Sequence, residues 1–293
     1  MKVSVIIPAY NDAKRLKLCL AALARQTYPD FEVIVVDNGS QDVAAHERVC
    51  EAFDFVTFTT ESKPGSYSAR NKGLELAKGE VLAFTDSDCI PEPDWLENGV
   101  KRLADMEFKG LVAGRLAVFP EDSQRPLPVE LHEMMFAFPQ ERYVRDSGYG
   151  VTGNMMTHKQ VFNAIGPFNT TLLSGGDHDF GVRARAAGFK AVYAPEVCVQ
   201  HPARRSFAEI KKKLRRTMGG VRDKDASLGA AFVQFKEALK PPVKLSINVL
   251  KSDDERFDLL QKLTICRVAA QIRLLAGAEA FYLWILKGAS RRT

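Results

Sequence analysis

Through the first third of the chain, short runs of apolar, β-branched residues alternate with segments whose apolar positions recur every three or four residues. Val3 to Ile7 predicts a buried strand ended by Pro8, and Phe31 to Val36 a second, ended by the turn-forming cluster Asp37-Asn38-Gly39-Ser40. Between them Leu16, Cys19, Leu20 and Leu23 fall at i, i+3, i+4 and i+7 behind Asn11-Asp12, which predicts a capped helix. Phe55 to Phe58 predicts a third strand, Ser68 to Ala77 a helix closed by Gly79, and Val81 to Thr85 a fourth strand. Strand and helix in this order predict an α/β fold, a mostly parallel sheet flanked by helices on both faces. Ligands of such sheets bind beyond the carboxyl ends of the strands. The polar clusters Tyr10-Asn11-Asp12, Asp37-Asn38-Gly39-Ser40 and Asp86-Ser87-Asp88 all fall at that edge.

From about Leu111 the alternation breaks. An apolar run to Phe119, a proline-rich stretch through Pro128 and an aromatic, methionine-rich segment from Met134 to Tyr149 are expected to form an inserted, acceptor-facing region. A helix is expected near Lys159 to Ala164, and another opens at Gly175-Gly176-Asp177-His178-Asp179 and runs to Ala187. The strand-like Val197 to Gln200 ends at His201, and the pattern after Ser206 is helical, broken at Pro241-Pro242. The expected division is a first domain over 1–205 and a helical C-terminal extension over 206–293, facing a membrane or an acceptor.

Composition narrows the classes. A chain of 293 residues that is 46% hydrophobic buries a substantial core and is not disordered. The formal net charge of +5 is unevenly placed: Arg204, Arg205, Lys211, Lys212, Lys213, Arg215, Arg216, Arg222 and Lys224 stand near only Glu209 and Asp223. That excess reads either as a solvated helix face or as attraction to a phosphate-bearing ligand or an anionic membrane. No nucleic-acid module accompanies it, so nucleic acid is not an expected partner. The five cysteines form no C-x-x-C pair and read as reduced core residues. The amino-terminal apolar run is too short for a signal peptide, and the apolar stretch from Leu274 to Leu286 is interrupted by Glu279 and too short to span a bilayer. The expected location is cytoplasmic, with peripheral contact at the inner face of the cell membrane as a further expectation.

Two carboxylates one residue apart, Asp86 and Asp88, end the fourth strand. They point to one side of the chain and repel each other unless a cation or donors stand between them, so the spacing suits a divalent ion and its ligand; a solvated turn is the structural alternative.

The ordered set Val5-Ile6-Ile7-Pro8-Ala9-Tyr10-Asn11, Val35-Val36-Asp37-Asn38-Gly39-Ser40, Ala69-Arg70-Asn71-Lys72-Gly73, Asp86-Ser87-Asp88 and Gly175-Gly176-Asp177-His178-Asp179 resembles the family-2 glycosyltransferases with a GT-A fold, over roughly residues 1–201. The resemblance implies an inverting, metal-dependent enzyme with a Rossmann-like sheet. Such an enzyme moves a sugar from a nucleotide-sugar donor to a hydroxyl of a saccharide or lipid-linked acceptor, in cell-surface polysaccharide or glycolipid synthesis. It implies nucleoside contacts from Pro8, Ala9, Tyr10 and Asp37, a phosphate or donor-ring contact from Arg70, and sugar or ribose contacts from Asp86. It also implies Mn²⁺ or Mg²⁺ on Asp88, with His201 approaching the metal or diphosphate, and Asp177 as the base. Relatives commonly carry a hydroxyl residue where Ala9 stands, and Glu-Asp where this chain has Gly176-Asp177; Asp179 is the neighbouring candidate for the base. Residue by residue the plainer roles stay open: sheet-edge packing for Tyr10, helix capping for Asp37 and Asp177, a helix-face salt bridge for Arg70, a structural imidazole for His201. Two other functions stay open as well, a catalytically silent nucleotide-sugar-binding module and a sugar nucleotidyltransferase. The latter usually needs a glycine-rich phosphate loop that Pro8-Ala9-Tyr10-Asn11-Asp12 does not supply.

Overall fold

The first strand, β1 (Val3–Ala9), is apolar at nearly every position because both of its faces are covered. Val3, Val5, Ile7 and Ala9 enter one core with Leu16, Cys19, Leu20 and Leu23 of α1 (Ala13–Leu23) and with Trp95, Leu96 and Leu103 of α4 (Trp95–Ala104). Ile6 enters the opposite core with Tyr67 and Ala69 of α3 (Ser66–Leu76), Phe162 of α7 (Lys159–Ile165) and Phe180 of α8 (Gly176–Ala186). This is the period-two division of a strand between two layers. The exception, Ser4, is fully buried and satisfied: its hydroxyl donates to Glu32 Oε1 at 2.7 Å and accepts from the Gly79 amide at 2.8 Å.

The computed structural model describes residues 1–172, 174–224, 233, 235–238 and 240–284. β1 pairs in parallel with β2 (Phe31–Asp37) and β4 (Val81–Thr85), and β2 in parallel with β3 (Val56–Thr60). β7 (Asn154–His158) runs antiparallel to β4 and to β6 (Gly110–Phe119), and β5 (Ile90–Pro91) antiparallel to β8 (Lys190–Pro202). The resulting mixed eight-stranded order is β3-β2-β1-β4-β7-β6-β8-β5, with α2 (Val43–Cys50) following β2. The expected strands and the α1 stripe are present. The segment expected as an inserted region contains two helices, α5 (Pro128–Phe136) and α6 (Gln140–Ser147), that the sequence reading did not assign.

Helix α3 sits close on the sheet. A Cβ added at Gly73 would lie 2.5 Å from Cγ2 of Ile6, so only glycine permits this approach.

The chain divides into two compact units, Met1–Ala117 with Phe138–His201, and Val118–Ala137 with Pro202–Thr293. The second contains α5, α9 (Phe207–Lys224), α10 (Val243–Leu250) and α11 (Leu259–Trp284). Its apolar contacts join Leu131 of α5 to Val249, Phe257 and Ile265. Within it the basic stretch finds acids from distant sequence. Arg204 meets Glu133 Oε2 at 2.5 Å and Lys213 meets Oε1 at 3.2 Å. Arg215 grips Glu279 through two hydrogen bonds of 2.7 and 3.1 Å, with Lys211 at 3.5 Å. Arg205 pairs with Glu121 and Glu130. Burial alone would push the Glu133 carboxyl up, but Lys213 and Arg204 bring it below the ordinary value. No helix among the described residues is long and apolar enough to cross a membrane.

Candidate active site at the carboxyl edge of the sheet

Three loops at the carboxyl ends of β1, β2 and β3 are laced together by two amide side chains. Asn11, held at a left-handed φ of 52°, donates its backbone N–H to Ser40 Oγ at 2.8 Å, and its Oδ1 accepts from the Gln41 amide at 2.8 Å. Asn38 donates to the carbonyls of Glu61 and Lys63 and accepts from the Gly65 amide, each at 2.8 Å. Asparagine tolerates the left-handed region and serves backbone groups from a short side chain, which suits both positions.

On this frame Pro8 is half-buried, Ala9 is buried and Tyr10 is 39% exposed. Asp37 is fully buried at the end of β2. Its Oδ1 accepts from the amides of Gly39 and Ser40 at 2.9 and 3.0 Å, while Oδ2 lies 3.4 Å from His46 Nδ1 and makes no hydrogen bond. Asp37 does not cap α2; Asp42 does, accepting from Ala45 N. His46 Nε2 accepts from the Asp12 amide at 3.0 Å, which links the ends of β1 and β2.

At the end of β4, Asp86 accepts through Oδ1 from the Arg70 guanidinium at 2.5 Å. Arg70 is 3% exposed and Asp86 is half-buried, so the guanidinium reaches the edge from within the fold and not from a solvent-facing helix surface. Its Nε has no partner. Asp88 Oδ1 lies 3.8 Å from His201 Nε2, and Oδ2 lies 3.6 Å from Arg15. The Asp88 and His201 ligand atoms, with Cys89 Sγ, fall within 4.8 Å of one another. Two atoms each about 2.1 Å from one ion lie at most about 4 Å apart, so the oxygen and nitrogen fit a shared divalent cation. Burial pushes the Cys89 thiol well above its ordinary value, which leaves the carboxylate and imidazole as the available donors.

Asp177 lies in the first turn of α8, behind the N-cap Gly175. Its Oδ1 accepts from the His178 amide at 2.9 Å and from the Tyr67 hydroxyl at 3.4 Å. Burial pushes its carboxyl above the ordinary value, against the pull of the His178 amide and the Arg70 guanidinium. Asp179 is instead committed to Arg183, at 3.0 Å.

Sequence reasoning passed over Arg15, His46 and Tyr67, and placed Asp12 at the edge without giving it a role in the site. Asp12 accepts from Arg15 Nε at 2.7 Å and from Ser87 Oγ at 3.3 Å, and burial pushes its carboxyl up. Asp12 had a usable signal in its place at the end of β1; Tyr67 and His46 had none beyond their helices.

A family profile described as glycosyl transferase family 2 matches residues 4–166, more than half of the chain. The chain belongs to glycosyl transferase family 2. This glycosyltransferase is 37% identical over 217 residues to glycosyltransferase AglE of Haloferax volcanii, covering 72% of this chain and 70% of that protein. It is 28% identical over 203 residues to the amylovoran biosynthesis glycosyltransferase AmsB of Erwinia amylovora, covering 64% of this chain and 65% of that one. The structure of mannosyltransferase PcManGT from Pyrobaculum calidifontis, in complex with GDP-Man and Mn²⁺, superposes with a TM-score of 0.58 at 24% identity. The match covers 98% of this glycosyltransferase and 76% of that chain, and it establishes the GT-A fold. The family match ends before Asp177 and His201, so those two positions rest on the geometry above.

Proposed function

We propose that this glycosyltransferase moves a sugar from a nucleotide-diphosphate sugar to a hydroxyl of a saccharide or lipid-linked acceptor, with inversion at the anomeric carbon and dependence on Mn²⁺ or Mg²⁺. The observation that carries the reading is the meeting, at one sheet edge, of the Asp88–His201 pair, the Arg70–Asp86 pair and a carboxylate, Asp177, whose proton affinity burial has raised. Asp88 and His201 would hold the cation, which when bound supplies countercharge to the departing diphosphate. Asp37 offers Oδ2, which makes no hydrogen bond among the described residues, to a donor on the base, beside the exposed ring of Tyr10 and the backbone of Pro8 and Ala9. Asp86, oriented by Arg70, faces the ribose or sugar hydroxyls. Asp177 takes the proton of the attacking acceptor hydroxyl; a carboxylate of raised proton affinity is suited to that task near neutral pH. A relative named for amylovoran biosynthesis supports placing this chain in a biosynthetic assembly of the same kind, with cell-surface polysaccharide or glycolipid as the proposed product.

The test is a thermal-shift panel of UDP, GDP, dTDP, CMP and ADP, each with and without Mn²⁺, on the wild type and on Asp88→Asn. A nucleotide at a hundred times its dissociation constant adds about 2.7 kcal/mol. One nucleotide is expected to stabilise the wild type only with metal and to lose that effect in Asp88→Asn. Stabilisation that persists undiminished in Asp88→Asn overturns the assignment of the metal to this pair.

A further inference from the structure

Gly176 and Tyr67 fit each other in a way that neither explains alone. A Cβ added at Gly176 would lie 2.7 Å from Cε2 and 2.8 Å from Cδ2 and Cζ of the Tyr67 ring, inside the contact surface of the ring body. The ring is 6% exposed and packs against Phe168 at 5.7 Å between centroids, so it has no simple way to swing aside. From that position its hydroxyl grips Asp177 twice, accepting from the Asp177 amide at 3.3 Å and donating to Oδ1 at 3.4 Å. Oδ1 therefore carries two donors, the phenol and the His178 amide, while among the described residues no hydrogen bond reaches Oδ2.

We infer that Tyr67 is a positioning residue for Asp177: its phenol holds one carboxylate oxygen so that the other faces the acceptor, and its ring fills the space left by the missing side chain at Gly176. The inference rests on the reading of Asp177 as the base. A phenol that donates to a carboxylate favours the ionised form, so it offsets part of the burial that raises the proton affinity of Asp177. Other charged and titratable groups act on Asp177 too: Arg70 from α3, Tyr143 from α6, Tyr149 beyond it, and the neighbouring His178. None of them is altered by removing the Tyr67 hydroxyl. If Tyr67 were only a core aromatic, Tyr67→Phe would keep the packing and leave the ionisation of Asp177 where it is.

The experiment is a ¹³C NMR titration of the full chain labelled at aspartate Cγ, with the Asp177 signal assigned as the one missing from Asp177→Asn. Tyr67→Phe is expected to move the Asp177 midpoint to higher pH. An unchanged midpoint overturns the inference. Gly176→Ala is expected to move the midpoint the same way, because the added methyl forces the first turn of α8 and the ring apart and lengthens the contact of the phenol with Asp177. A wild-type midpoint in Gly176→Ala overturns the spatial half of the inference. The base reading is tested separately, by turnover of Asp177→Asn, so the two can fail independently.

Discussion

Both units of the molecule bury carboxylates, and they treat them in opposite ways. In the second unit Glu133 and Glu279 are each met by two cations, and Glu130 takes the amides of Glu121 and Leu127 as well as Arg205. At the sheet edge of the first unit, Asp37 keeps an oxygen with no hydrogen bond, Asp88 faces an imidazole at 3.8 Å and a guanidinium at 3.6 Å, both longer than a hydrogen bond, and Asp177 is pushed up by burial. Saturated acids knit helices together; unsaturated ones are held ready for a ligand, at a cost in stability. The raised carboxyl of Asp177 and the lowered carboxyl of Glu133 are the two ends of that contrast.

The largest expected effect breaks the ready side. Asp177→Asn should lower turnover by about 10² to 10⁴ while leaving metal-dependent nucleotide binding in place, measured as kcat against the nucleotide dissociation constant. Next, Glu133→Gln should cost about 2–3 kcal/mol in urea unfolding, because Arg204 and Lys213 lose their shared anion while partial exposure of both cations softens the loss. The two carboxyls should also oppose each other in pH dependence. Glu133 sits below its ordinary 4.5, so its contribution is complete above that value and is lost as pH falls through the lower folded value. Asp177 sits above its ordinary 3.8, so the folded chain holds that proton more tightly and stability falls as pH rises from 3.8 toward the folded value. Asp177→Asn should therefore be at least as stable as the wild type at pH 7 and lose that advantage near pH 3, as followed by thermal unfolding.

The same contrast explains what could be read from the chain alone. β1, β2 and β4 were legible because strands covered on both faces read as unbroken apolar runs, and Asp86 and Asp88 because they follow one of them directly. α5 was hidden since its inward positions include Glu130 and Glu133, whose partners lie as far as 80 residues away. For the same reason the basic stretch looked uncompensated: Glu209 and Asp223 are near in sequence, but the acids that meet Lys211, Lys213 and Arg215 come from α5 and α11. Lys211, Lys213 and Arg215 therefore have acid partners inside their own unit, and Lys211 remains half-exposed there. The role of Tyr67 was invisible because it depends on an emptiness at Gly176, and a missing side chain leaves no mark in a hydrophobic pattern.

One helix, α3, carries both Arg70 for Asp86 and Tyr67 for Asp177, and it is seated on β1 through the bare Cα of Gly73 against Ile6. Asp86, at the end of β4, and Asp177, on α8, are thus each held by a hydrogen bond from one and the same ruler. A displacement of that ruler would disturb both hydrogen bonds at once.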